Sequence, residues 1–379
     1  MFKALKKIII QKSGETHPHA LLSLSGVLAA GAWGYKTGTV IRNRLYRSGW
    51  IARKQLPCRV ISVGNIIAGG TGKTPVTIYL ADLLTRMGKK TVVISRGYKG
   101  LSDKSAAVVG NGGQVFLDAH LAGDEPHMMA RLKRFPVVVG KNRYQAGCLA
   151  VEKFTPDVLV LDDGFQHLQL KRDLDLVLMD HDFPLGNGRL LPAGRLREPP
   201  GPALARAHAV ILTRCPENRP EKSHPVSCLA PGLPLFYTRH QPFLSGFFPA
   251  GPPKKNRGSG LRENQVSQTD LTVFQGVSVV LFSGIAHNRA FYRTLRSLGA
   301  NILDHLEFDD HYRYKRADIR QIQDRAAAVK AQMLVTTEKD WVKLEGWTTW
   351  TMDLAVAGIR VVFDDDIGFH RFITRRLQP

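Results

Sequence analysis

The chain has 379 residues and a globular composition, with 53 Lys and Arg against 32 Asp and Glu, for a formal net charge of +21. That length exceeds one ordinary core and points to two domains, and the charge demands a polyanionic partner: nucleic acid, an anionic membrane or a phosphorylated substrate. Cys58, Cys148, Cys215 and Cys228 show neither a disulfide framework nor metal-type spacing, which suits a reducing cytoplasm.

Residues 1–60 carry eleven Lys and Arg against one acid, Glu15. Among them runs an apolar stretch, Ala20–Tyr35, shorter than the roughly 20 residues needed to span a bilayer. A signal peptide and a buried core helix are the alternatives. The basic flank and Trp33, Tyr35 and Trp50 favour a helix lying in an anionic membrane interface.

Strand and helix patterns then alternate. Strands are predicted at Arg59–Val63, Thr91–Ser95, Ala106–Val109, Pro136–Val139, Asp157–Leu161, Leu174–Met179 and Ala209–Thr213, with helices at Lys73–Met87, Glu125–Lys133 and Arg143–Phe154. Near-continuous apolar strands alternating with helices argue a parallel sheet covered on both faces. Residues 216–270 are Pro-rich and break the pattern, with Pro252–Gly260 reading as an exposed loop. Alternation resumes with strands Val277–Phe282, Ile302–Phe308, Met333–Thr336 and Ile359–Phe363 and helices Arg289–Leu298, Arg316–Val329 and Ile367–Arg376. These form a second, smaller α/β unit.

The sharpest signal is the run Val60–Pro75, in which a strand enters Gly69-Gly70-Thr71-Gly72-Lys73-Thr74 and a helix follows. Glycines let backbone N–H groups approach phosphate oxygens, and the helix start adds partial positive charge. Lys73 would reach the β- and γ-phosphates and the Thr74 hydroxyl would ligate Mg²⁺. The strict P-loop pattern places Gly where this chain has Ile67. The cradle is expected over Ile67, Ala68, Gly69, Gly70, Thr71, Gly72, Lys73 and Thr74. Asp162 and Asp163, at a strand end, are both candidates for the metal, the alternative being that they cap a turn.

These residues belong to a longer series: VGN-x3-GGTGKTP (Val63–Pro75), SRGY (Ser95–Tyr98), GDEP (Gly123–Pro126), DDGFQH (Asp162–His167), LPAGRLREP (Leu191–Pro199), SGIA (Ser283–Ala286), F-x-DH-x-x-Y (Phe308–Tyr314) and TTEKD (Thr336–Asp340). In this order the series resembles the tetraacyldisaccharide 4′-kinases, the lipid A 4′-kinases. The resemblance implies transfer of the γ-phosphate of ATP to the 4′-hydroxyl of lipid A disaccharide 1-phosphate, with Mg²⁺, on the cytoplasmic face of a bacterial inner membrane. It implies a P-loop NTPase-type parallel-sheet domain, a smaller α/β domain and a strand linker. Boundaries are expected at 1–40 (membrane-interacting segment), 41–215 (kinase core), 216–272 (linker and insertion) and 273–379 (smaller domain, its last helix free to pack on the first).

By the same resemblance Asp124 is the catalytic aspartate and His311 its partner, the imidazole orienting the carboxylate and stabilising or relaying the proton. From residue chemistry alone, Asp124 reads more readily as a helix cap. Asn65, Arg96, Tyr98, Gln166, His167 and Arg197 are expected at the substrate, with Arg96 able to fork onto the 1-phosphate. Glu198 is expected on Mg²⁺; a loop ion pair is the other reading of Arg197 and Glu198. Two rivals are a membrane-associated P-loop ATPase, which would carry a lysine at Ala68, and a nucleic-acid binder, for which no recognition motif is visible. No nucleic acid and no obligate protein partner are expected.

Overall fold

The computed structural model describes residues 24–97, 106–218, 224–251, 271–344, 347 and 349–378. Tyr98, the 252–260 loop and the positions before Leu24 lie outside them. Twelve strands form one sheet: β1 (Arg59–Asn65), β2 (Thr91–Ser95), β3 (Ala107–Asn111), β4 (Pro136–Val139), β5 (Val158–Asp162), β6 (Leu174–Asp180), β7 (Ala209–Thr213), β8 (Leu235–Phe248), β9 (Ser278–Ser283), β10 (Asn301–Glu307), β11 (Met333–Thr337) and β12 (Asp353–Phe363). Their spatial order is β10-β9-β11-β12-β8-β7-β6-β1-β5-β2-β4-β3. Pairing is parallel except at β3–β4 and β8–β12.

The apolar strands of the sequence are the central ones. Both faces of β1, β5 and β6 are buried, as the uninterrupted Val, Ile and Leu runs require. The helix Lys73–Arg86 lays Val76, Leu80 and Leu84 on one face, and Arg143–Phe154 covers the other with Ala146 and Ala150. The last helix, Asp366–Leu377, returns to the first half of the sheet. Its Phe369 and Ile373 share a core with Val76 and Leu80, and Phe369 stacks on Phe363 at 4.1 Å.

The Pro-rich span contains a strand that the sequence pattern hides. β8 runs 14 residues through Pro242 and Gly246, two residues that read as breakers. It pairs parallel with β7 over Leu235–Tyr237 and antiparallel with β12 over Thr238–Phe248. A register shift near Ser245 absorbs the irregularity, as bulges do. β8 therefore ties the two halves of the sheet together.

Because β8 pairs antiparallel with β12, the parallel strands of the second half run opposite to those of the first, and the carboxyl ends of the two sets are turned toward each other along β8. Asn65, Ser95, Asp162, Asp180 and Thr213 terminate β1, β2, β5, β6 and β7, while Ser283 and Thr337 end β9 and β11. Ligand sites of open α/β sheets form in the crevice outside such carboxyl ends. Among the described residues, the local motifs singled out above fall at these strand ends or in the loops beside them. The amino-terminal helix Leu24–Arg47 lies against one of those loops. Tyr35 donates to the Arg197 carbonyl at 2.9 Å and Asn43 donates to Glu198 at 3.4 Å. Val27, Trp33 and Ile41 on this helix, and Trp50 after it, are exposed. Among the described residues no helix is long and apolar enough to cross a membrane.

Candidate active site

The loop after β1 is shaped by donors that reach its carbonyls from outside. Arg195 Nε donates to Ala68 O at 3.0 Å, Arg214 Nη2 to Gly70 O at 2.7 Å, and Thr213 Oγ1 to Thr71 O at 3.1 Å. Lys73 Nζ lies 3.4 Å from Gly69 O. Among the described residues the amides of Gly69, Gly70, Thr71 and Gly72 donate to no acceptor. Carbonyls held outward leave consecutive N–H groups for an anion. Gly72 has φ +78°, and a Cβ there would meet His240 Nε2 at 2.9 Å, so the loop enters the helix only through glycine.

Two residues of the expected cradle do other work. The Ala68 amide is spent on Arg195 O at 2.7 Å, and Ile67 bridges Leu196. Asn65, expected at the substrate, is fully buried and braces the turn by donating to Thr71 Oγ1 at 2.8 Å. In this structure these three residues build the loop from behind.

The carboxylates at the end of β5 divide into two environments. Asp162 is buried, accepting from Thr77 at 3.2 Å and Ser95 at 3.3 Å. Burial, then the charges of Glu125 and Asp163, push its carboxyl up to about 7. Burial would raise Asp163 as well, but Lys73 at 3.7 Å and Arg197 at 2.9 Å hold it below the usual carboxylate range. Arg197 Nη1 also donates to Gln166 Oε1 at 3.1 Å. Gln166 Nε2 in turn donates to Asn65 O at 2.7 Å and Glu198 Oε1 at 3.0 Å.

Glu198 is fully buried, with Arg206 on both oxygens at 2.5 and 2.7 Å. In this structure it is the partner of Arg206, Gln166 and Asn43. Burial, then Arg143, lowers His167 to about 4, so it is a neutral imidazole. Arg96 is exposed at the end of β2 and contributes to the field at Arg143 and His167.

Asp124 and His311 meet. His311 Nδ1 lies 2.9 Å from Asp124 Oδ2, and both side chains are nearly buried. Asp124 is the first residue of the helix Asp124–Arg131, and Gly123 holds the cap position, so the capping alternative does not hold. Burial would raise the Asp124 carboxyl, but the His311 hydrogen bond and the charges of Lys343 and Lys339 bring it below the usual value. His311 sits at φ +62° and its N–H donates to Gly284 O at 3.1 Å. The charge of Glu125, beside Asp124, is felt at Asp162 at the end of β5.

A family model for LpxK, the tetraacyldisaccharide-1-P 4′-kinases, matches residues 24–378. The chain belongs to this family. It is 39% identical over 339 residues to the tetraacyldisaccharide 4′-kinase of Desulfatibacillum aliphaticivorans, covering 89% of each chain. With that of Syntrophus aciditrophicus (strain SB) it shares 41% over 320 residues, 82% of each. The structure of LpxK from Aquifex aeolicus in complex with ATP superposes with a TM-score of 0.73 at 31% identity, covering 94% of this chain and all of that one.

Residues that sequence reasoning passed over also meet the loop, its carboxylates or the dyad: Arg143, Arg195, Arg214, His240 and Lys339. Arg143 opens a helix but is buried, donating to Gly140 O at 2.8 Å and Asp162 O at 3.2 Å. Arg214 bridges Asp180 at 2.7 Å and the loop. A basic residue just past a strand end near a Gly-rich loop was the available signal. Among the described residues, His240 Nε2 is buried without a hydrogen-bond partner against Gly72. Burial, then Arg214, lowers it to about 4.

From about pH 6.5 down to about 4 the unfolded chain binds a proton that folded His240 refuses, so stability is complete above 6.5 and falls with pH, by about 1.4 kcal/mol per unit. In urea titrations between pH 7.5 and 5, the wild type should lose roughly 2 kcal/mol relative to His240→Gln. Equal pH slopes for the two proteins would contradict a neutral buried His240.

Proposed function

We propose that this kinase carries out its reaction in the crevice between the two halves of the sheet, with Asp124 as the base. The 4′-oxygen of a lipid A disaccharide 1-phosphate attacks the γ-phosphorus of ATP, the bond to the β-bridging oxygen breaks, ADP leaves, and the hydroxyl proton goes to Asp124. A sugar hydroxyl is a weak nucleophile, so a carboxylate kept ionised by its neighbours is the group the step requires. The observation that carries this reading is the 2.9 Å contact between Asp124 and His311, 187 residues apart, beside an anion-binding loop. The two halves act as two domains, 41–215 and 273–379, that meet over the acceptor and exclude water.

Lys73 and the Gly69–Gly72 amides bind the phosphates. Thr74 and Asp162, with Asp163 beside them, would hold Mg²⁺. The fit rests on Asp162, whose carboxyl is pushed up first by burial and then by the charges of Glu125 and Asp163, a cost that a dication would relieve. Mg²⁺ needs only one or two protein oxygens alongside phosphate and water, and bound there it would neutralise charge on the phosphates. Arg197 and Gln166 steady Asp163 and the loop, while Arg96 and His167 face the acceptor.

The helix Leu24–Arg47 rests on the anionic inner membrane. Its exposed Val27, Trp33 and Ile41 would enter the interface, with Lys36, Arg42, Arg44 and Arg47 at the headgroups.

With γ-labelled ATP, Mg²⁺ and disaccharide 1-phosphate lipid in detergent, label should move to the lipid. Lys73→Ala should abolish transfer, and Asp124→Asn should lower kcat by roughly 10²- to 10⁴-fold with little change in the KM for ATP. Free phosphate without labelled lipid would contradict the reading. In flotation with anionic vesicles, Trp33→Ser combined with Trp50→Ser should shift protein to the unbound fraction. An unchanged distribution would count against the interfacial helix.

A further inference from the structure

The TTEKD run leaves β11 and turns directly beneath the dyad. Its Asp340 is fully buried and accepts from the Gly284 N–H at 3.0 Å and from Thr337 Oγ1 at 2.7 Å. Gly284 belongs to the SGIA run, and its carbonyl receives the His311 N–H. Two motifs of the second half thus fix the His311 backbone in its left-handed turn. The next question is what fixes the ring.

Lys339 Nζ lies 3.3 Å from His311 Nε2, 3.2 Å from Asp310 Oδ1 and 3.3 Å from Glu125 Oε1. An ammonium has three donors and no acceptor. A proton on Nε2 would therefore set donor against donor. Asp310 lies 3.7 Å from Nε2, outside hydrogen-bond range, so it does not draw a proton there. With Nε2 accepting from Lys339, the ring hydrogen belongs on Nδ1, where it donates to Asp124 Oδ2.

Among the described residues, the other charged groups near the ring include Glu125 on the Asp124 helix, Asp309 and Arg313 on the ring's own loop, and Asp340 and Lys343 after β11. Lys343 is held by Asp340 at 2.6 Å. Among the described residues, Lys339 is thus a cation that meets both the ring and the carboxylates on either side of it.

We propose that Lys339 is a positioning residue that holds His311 as the Nδ1–H tautomer, so that the imidazole orients Asp124 and does not relay its proton. Nδ1 already carries hydrogen and has no lone pair turned to Asp124. The proton taken from the acceptor hydroxyl therefore stays on the aspartate, on the oxygen that His311 leaves open, until solvent removes it. Through Glu125, Lys339 also ties this tautomer to the approach of the two halves. The inference rests on Asp124 being the base and goes beyond it by excluding the relay.

The test is ¹⁵N NMR of protein labelled at histidine, at pH 8, with the His311 ring assigned by its loss in His311→Gln. The expected wild-type spectrum has a lone-pair Nε2 and a protonated Nδ1. In Lys339→Met the ring should shift towards a protonated Nε2, with kcat down roughly 10- to 100-fold and the KM for ATP within about twofold. Lys339→Arg, which preserves the donors, should keep the wild-type ring state and most of kcat. A protonated Nε2 with bare Nδ1 in the wild type overturns the proposal even if Lys339→Met does not fold. So does a ring state that Lys339→Met leaves unchanged. Failure of the underlying reading looks different: it is Asp124→Asn retaining wild-type kcat.

Discussion

The carboxylate of Asp124 and the imidazole of His311 meet at 2.9 Å, and the rest of the molecule is arranged around that meeting. Each partner comes from a different half of the sheet, and each is held by its own device. Gly123 lets the chain turn so that Asp124 begins a helix, which directs its side chain to the crevice. Asp340 and Gly284 hold the His311 backbone at positive φ. β8, pairing with β7 at one end and β12 along the rest, joins the two halves into a single sheet, so their strand ends face the same crevice.

Electrostatics explain why this crevice suits a phosphoryl transfer. Cations hold the loop carbonyls outward and leave the amides for phosphate oxygens. The carboxylates are graded. Asp124 and Asp163 are kept ionised by cationic neighbours, whereas Asp162 is raised by burial and by the carboxylates near it. A base is needed at one point and a cation site at another, and the same residue type serves both because its surroundings differ. A cavity of 850 Å³ between the phosphate-loop helix and the β8–β12 pair, lined by Ile78, Met128, Phe243 and Trp341, contains none of these groups and lies apart from the chemistry.

The parts legible in the sequence were those whose cause is local. Gly69–Thr74 reads as a phosphate loop because strand, glycines and helix are contiguous, and buried strands read from their apolar runs. Asp124 and His311 could be paired only by resemblance, since nothing local links residues 187 apart. The rest was hidden for the same reason. Arg195 and Arg214 reach the loop from 127 and 144 residues away, and Glu198 meets Arg206 in the fold's interior. Asn65 looked like a polar group offered to substrate, yet burial turns it inward. β8 was masked by Pro242 and Gly246, which a bulged strand at the join between the halves tolerates.

The most direct measurement is a double-mutant cycle between the two partners, read in single-turnover transfer from ATP to the disaccharide 1-phosphate lipid. If His311 acts through Asp124, adding His311→Gln to Asp124→Asn should cost almost nothing further, and the two losses should fall far short of multiplying. Losses that multiply would mean that the residues act independently and that their contact is not the working joint of the enzyme.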